Sequence, residues 1–176
     1  IKASKKIRFE GNGYGEEWEI EAAKRGLSNN KTTPEALKAK ISKKAISLYE
    51  EMEVMSKVEV EARHEIELEE YILRVQIESR VLGDIARNHV IPTAIKYQNT
   101  LIENVSGLKN IFGDSFMTHA KEQVDLIQKI SLHIAGINSK IEEMIGERKA
   151  ANKLHGQAAA DAYCNKVKPY FDEIRY

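Results

Sequence analysis

SKVEVEARHEIELEEYILRVQIESRVLGDIARNHVIPTAIKYQNTLIENV, residues 56–105, is the stretch whose reading decides the fold. It opens with Ser56 and, three residues on, Glu59, a capping-box pattern in which each side chain satisfies the other residue's backbone N–H; Met55 and Val60 are spaced to staple across it. A helix therefore starts here. Apolar residues then recur at Ile66, Leu73, Ile77, Val81 and Ile85, and again at Ala94, Ile95, Ile102 and Val105, in steps near the helical repeat. Such a stripe is stable only when covered, so it is expected to face neighbouring helices. Pro92 removes one backbone hydrogen bond at a cost of about 3 kcal/mol in a helix interior, so a kink is expected there. Because the stripe resumes beyond it, one long kinked helix is expected rather than two separated by a loop.

Upstream, residues 1–55 read as loop and short helices. KIRFEGNGYG, residues 6–15, is the one plausible extended piece, with Ile7 and Phe9 alternating with charges before a glycine cluster. Glu16 to Arg25 reads as a short helix carrying Trp18 and Ala22, stopped by Gly26 where a left-handed cap is cheapest. Thr33 is placed to cap the next helix, with Pro34 at its first position and an end near Lys40. A further short helix, Lys43 to Met52, puts Ile46 and Tyr49 on one side.

Downstream, SGLKNIFGD, residues 106–114, reads as a turn, with Asp114 as the cap of a helix from Ser115 to Lys149. That helix carries Val124, Ile127, Ile130, Ile134, Ile137, Ile141 and Met144, close to a heptad seam. A last helix from His155 repeats the pattern with Ala160, Tyr163, Val167, Tyr170 and Ile174, bent at Pro169. The expected fold is all-α: a bundle of long antiparallel helices over residues 56–176, one kinked at Pro92, preceded by a short loop or strand and small helices.

Composition narrows the functional classes. The 176 residues carry 27 basic and 27 acidic side chains, so no net field would gather nucleic acid or an anionic membrane. No apolar run approaches the roughly 20 residues needed to span a bilayer, and the N-terminus has no signal-peptide pattern. The single cysteine, Cys164, has no partner for an intrachain disulfide or a zinc site, which suits a reducing compartment; a cytoplasmic location is expected. The chain begins at Ile1 in a polar stretch, as expected of a piece of something longer.

The residues present no obvious active site. Glu61 and His64 have the Glu-x-x-His spacing of bundle metal sites, but the residues three before His89, His119, His133 and His155 are Ala86, Phe116, Ile130 and Asn152, so the second half is missing. Gly11, Gly13 and Gly15 suggest a phosphate loop, yet no Gly-Lys-Ser/Thr follows, and a tight turn into the helix at Glu16 is the better reading. His89 and His133 have no sequence-near acid or nucleophile and read as structural histidines. No catalytic, cofactor-binding or metal position is assigned, and the default role is self-association or packing against another domain. The residues alone leave open a free-standing helical scaffold or interaction module.

Several strings, in order, resemble the C-terminal portion of type III glutamine synthetases: FEGNGYGEEW (9–18), EAAKRGLSN (21–29), TTPEAL (32–37), EARHEIELEEY (61–71), IESRVLGDIARNHVIPTAIKYQ (77–98) and YCNKVKPYFDEIR (163–175). The most specific piece is GDIARNHVIPTAIKYQNTLIENV, residues 83–105, with Asn88, His89, Pro92, Tyr97 and Gln98 on one proline-kinked helix. Gly15 departs from a more usual serine, and MEVMSKVEVEAR, residues 52–63, is a less typical helix entry. The resemblance implies that residues 1–55 close a catalytic domain and residues 56–176 form a helical extension. It implies a parent that joins ammonia to glutamate using ATP and Mg²⁺ or Mn²⁺, with the catalytic residues upstream of this segment. It also implies partners: the parent's own catalytic domain and neighbouring subunits of homo-oligomeric rings, with no nucleic acid and no membrane.

Overall fold

The computed structural model describes residues 4–176, and among these no strand forms. Three short helices come first, α1 (Glu16–Lys24), α2 (Thr33–Lys40) and α3 (Lys43–Glu51). Then follow α4 (Lys57–Ile85) and α5 (Ile91–Phe112), joined without a loop by a π-turn over Ala86–Val90. α6 (Met117–Ala151) returns antiparallel to α5, and α7 (Gly156–Ala162), a second π-turn (Tyr163–Val167) and α8 (Tyr170–Arg175) close the chain against α4 and α6. Ile7 of the expected extended piece lies in a single 3₁₀ turn, with only the residues after it extended or irregular.

The capping box forms as read. The Ser56 N–H and hydroxyl both reach Glu59 Oε2 at 2.8 Å, and the Glu59 N–H donates back to Ser56 Oγ at 3.4 Å. These bonds, the backbone one first, hold the Glu59 carboxyl below its ordinary value. Gly26 caps α1 in the left-handed region at φ +67°; Leu27 N–H donates to Ala22 O at 2.9 Å and Gly26 N–H to Ala23 O at 3.1 Å, a Schellman pair. Thr33 lies inside α2 instead of capping it; Thr32 takes the cap position without a side-chain bond.

Pro92 and Pro169 act one turn upstream of themselves. Pro92 and Pro169 each follow a π-turn in the same register, ending two residues before the ring. The residue preceding each proline donates five residues back, Ile91 to Ala86 O and Lys168 to Tyr163 O. A proline offers no N–H to the carbonyl four residues back and crowds it, so a widened turn accommodates the ring; the helix runs on directly at Pro92, and after a two-residue turn at Pro169.

The turn between α5 and α6 is later and tighter than 106–114. Residues 106–112 are helical, the reversal occurs at Gly113 with φ +57°, and Phe112 stacks on His119 at 4.1 Å to close the tip. Asp114 sits in the short 3₁₀ turn and caps nothing by its side chain; Phe116 holds the N-cap position of α6.

The largest correction concerns the stripe. Ile66, Leu73, Ile77, Val81 and Ile85 are 57%, 54%, 51%, 49% and 45% exposed, an outward face. The covered face of α4 lies about half a turn round, at Val60, His64, Leu68, Val75 and Ser79, with Tyr71, Ile72 and Leu82 half-buried beside it. α4 has two apolar faces; the less regular one, interrupted by His64 and Ser79, receives α2, α7 and the second π-turn. In α5, Ala94 and Val105 are half-buried while Ile95 and Ile102 are exposed.

The core sits where α4, α6 and the C-terminal helices meet: Val75, Ala86, Ile141, Met144, Tyr163, Val167, Phe171 and Ile174. A smaller cluster of Leu37, Leu68 and Ala160 is continuous with it through Tyr71 and Ile72. The seam of α6 divides accordingly: Ile141 and Met144 are fully buried, whereas Val124, Ile127, Ile130, Ile134 and Ile137 are half-buried, with α5 as the helix packed along them. Gln98 Nε2 bridges that pair to Ile127 O at 2.9 Å and Ser131 Oγ at 2.6 Å, and Asn104 Nδ2 donates to Gln123 Oε1 at 2.8 Å.

α2 is tied down by Lys38 Nζ to Asp161 Oδ2 at 2.9 Å and Gln157 Nε2 to Pro34 O at 3.1 Å. Burial pushes Asp161 upward, but the Lys38 ammonium and the Gln157 amide outweigh it and hold the carboxyl below its ordinary value.

Three outcomes follow from these contacts. Ser56→Ala should lower stability by about 1 kcal/mol in urea unfolding, the usual worth of an N-cap. In a peptide of residues 56–105, Pro92→Ala should raise helicity by circular dichroism, since the proline penalty of about 3 kcal/mol is removed; unchanged helicity would refute the link between ring and π-turn. A depressed carboxyl stabilises above the unfolded value, about 3.9, and its contribution disappears as the pH falls through the lower folded value. Amide shifts in α2 should therefore report undocking in that acid range, and Lys38→Met should abolish this dependence.

Candidate functional site

Glu61 and His64 do not come together as a pair of ligands. Glu61 is exposed and pairs with Lys57 at 3.7 Å, while His64 turns inward at 7% exposure. The histidine borders a small cavity of about 170 Å³ with Tyr49, Met55 and Val60, and its Nδ1 has no hydrogen-bond partner. Among the described residues no group of three His, Cys, Asp or Glu side chains could hold a metal ion.

The glycine cluster is a turn. Asn12 organises it, its Oδ1 accepting from the Tyr14 N–H and its carbonyl from the Gly15 N–H, both at 3.0 Å, and α1 begins at Glu16. Gly11 makes room for the Phe9 ring: a Cβ there would lie 2.6 Å from it and push the ring, which packs on Trp18 at 5.1 Å, out of place.

His89 and His133, read as structural, are both exposed; the buried histidine is His64. Cys164 is half-buried within the second π-turn. Beside it the Tyr71 hydroxyl is buried without a hydrogen-bond partner, and burial first, then the neighbouring thiol, push its ionisation above the ordinary phenol range.

What the surface offers instead is apolar area. Ile66, Leu73, Ile77, Val81 and Ile85 run down one side of α4, and Val90, Ile95 and Ile102, all above 40% exposure, extend the apolar surface past the π-turn. Scattered exposed apolar residues are ordinary; here they form a file along one helix. No helix among the described residues is long and apolar enough to cross a membrane.

The chain is similar to known proteins of one family. The family model described as the glutamine synthetase C-terminal domain matches residues 1–109. A glutamine synthetase of Bacteroides fragilis is 42% identical over 177 residues, covering 99% of this chain and 24% of the relative. One of Butyrivibrio fibrisolvens is 30% identical, covering 99% of this chain and 25% of the relative. The type-3 glutamine synthetase of Dictyostelium discoideum is 31% identical, covering 97% of this chain and 23% of the relative. The chain thus spans about a quarter of the length of these relatives, and it belongs to the glutamine synthetase C-terminal domain family.

Proposed function

We propose that this chain is the C-terminal helical part of an ATP-dependent glutamate–ammonia ligase, in which it serves structure and assembly and carries no catalytic residue. In this reading residues 1–55 close the catalytic domain, residues 56–176 form the helical extension, and ATP and Mg²⁺ or Mn²⁺ bind outside the segment in a cytoplasmic homo-oligomer. Family membership and the quarter-length match support a larger parent. The uncovered stripe of α4 carries the structural role: five large aliphatic side chains, each about half exposed, meet water along a helix whose other side is packed.

Burying a Leu or Ile side chain fully is worth about 1.5–3 kcal/mol, so covering the exposed half of several such residues supplies a substantial docking energy. The occupant is the parent's own catalytic domain or a neighbouring subunit.

Leu73→Asp and Ile77→Asp separate this from a merely exposed face. In the 176-residue chain both should leave helical content and melting temperature nearly unchanged, because these side chains already meet solvent. In the full-length protein they should lower the melting temperature by several degrees, or break the oligomer in light scattering, with the charge buried at the contact. Equal, small effects in both proteins would sink the assembly role.

A further inference from the structure

Between α4 and α6 lies a cleft of about 320 Å³ that the packing of the bundle leaves open. Its floor is lined by Ile141 and Gly83; the absent side chain of Gly83 keeps it low, since a Cβ there would already stand 3.7 Å from Ile141 Cγ2 and 3.8 Å from Met144 Cε. Its rim is basic. Arg80 rises from α4, Arg87 from the π-turn and Arg148 from α6.

The carboxylates nearby do not neutralise all three. Arg87 is paired with Glu142. Asp84, the acid lining the cleft, accepts the Asn88 amide at 2.6 Å. Arg80 and Arg148 have no carboxylate within ion-pair distance among the described residues. Burial pushes the Tyr163 phenol above its ordinary range, and the Gln76 side chain, then the Arg148 and Arg80 guanidiniums from facing helices, draw it partly back. The Ser79 hydroxyl is already committed to Gln76 O at 2.8 Å, which leaves recognition to the charged rim.

Two like charges held on opposite walls of a partly enclosed, apolar-floored cleft repel each other, and an anion between them removes that cost. Guanidinium forks match the paired oxygens of carboxylate and phosphate, and the volume is at the small end of ligand sites, too small for a protein segment of any length. We propose that this cleft is a binding site for a small oxyanion, a phosphate or a carboxylate, clamped between Arg80 and Arg148. This inference stands on the cleft alone and is independent of the assembly role.

The test is calorimetric titration of the 176-residue chain with inorganic phosphate and, separately, with succinate, at ionic strength fixed by chloride so that screening is constant. Saturable binding of at least one is expected, and the stronger of the two identifies the ligand chemistry. Arg80→Gln and Arg148→Gln should each weaken it roughly ten- to hundredfold, the range expected for a lost charged hydrogen-bonding partner, with Arg80→Lys and Arg148→Lys recovering part of the loss. Arg74→Gln, on the same helix but paired with Glu70 at 3.3 Å, should bind as the parent does. Circular dichroism confirms that each variant is folded. Absence of saturable binding, or equal weakening by Arg74→Gln, would overturn the proposal.

Discussion

The whole molecule depends on the C-terminal helices closing over the corner between α4 and α6. Tyr163 and Val167 are fully buried there, with Phe171 and Ile174 behind them, against Val75 and Ile141 from the two long helices. The Tyr163 hydroxyl finds Asn152 Oδ1, which also accepts from Gln76 Nε2 at 3.1 Å, so the aromatic ring enters the core without stranding its polar end. Remove these helices and α4 keeps only α2 and α3 on its buried face, while α6 keeps α5 and a thin contact with α4.

That asymmetry explains the two ends of the molecule. Near Tyr163 a third element covers the α4–α6 pair, and burial is complete. Towards Gly113, α5 and α6 run as a two-helix arm whose seam stays half exposed, stabilised by cross-helix amides such as Gln98 and Asn104 and by the Phe112–His119 stack at the tip. Two helices shield only one side of each other, so an arm of this kind keeps apolar surface in contact with solvent. The same logic applies to the outer stripe of α4, whose large aliphatic side chains meet solvent.

The π-turns give the prolines a shared role. Each carries one extra residue just ahead of the ring, so the helix that follows, directly after Ala86–Val90 and after a two-residue turn beyond Val167, has its faces shifted. At Ala86–Val90 this shift lies beside the arginine-rimmed cleft; at Tyr163–Val167 it buries Tyr163 and Val167 together. A proline kink was legible in the sequence, but its form was not, since a missing N–H is compatible with a bend, a break or a widened turn.

Local chemistry was determined by the sequence alone: the Ser56 and Glu59 capping box, the Gly26 stop, the glycine turn after Phe9, the all-helical class and the ordered strings that mark the family. Each depends on residues within a few positions of one another, and short-range hydrogen bonds and backbone preferences decide it whatever lies further away. Which face of α4 is core was decided only by tertiary structure. α4 has two apolar faces, and periodicity favours the more regular one with Leu73 and Ile77, whereas α2 and the C-terminal helices select the other, with His64 and Ser79 in it. The convergence of Arg80 and Arg148 belongs to the same class: they lie far apart in the chain, and only the antiparallel return of α6 brings their charges to one cleft.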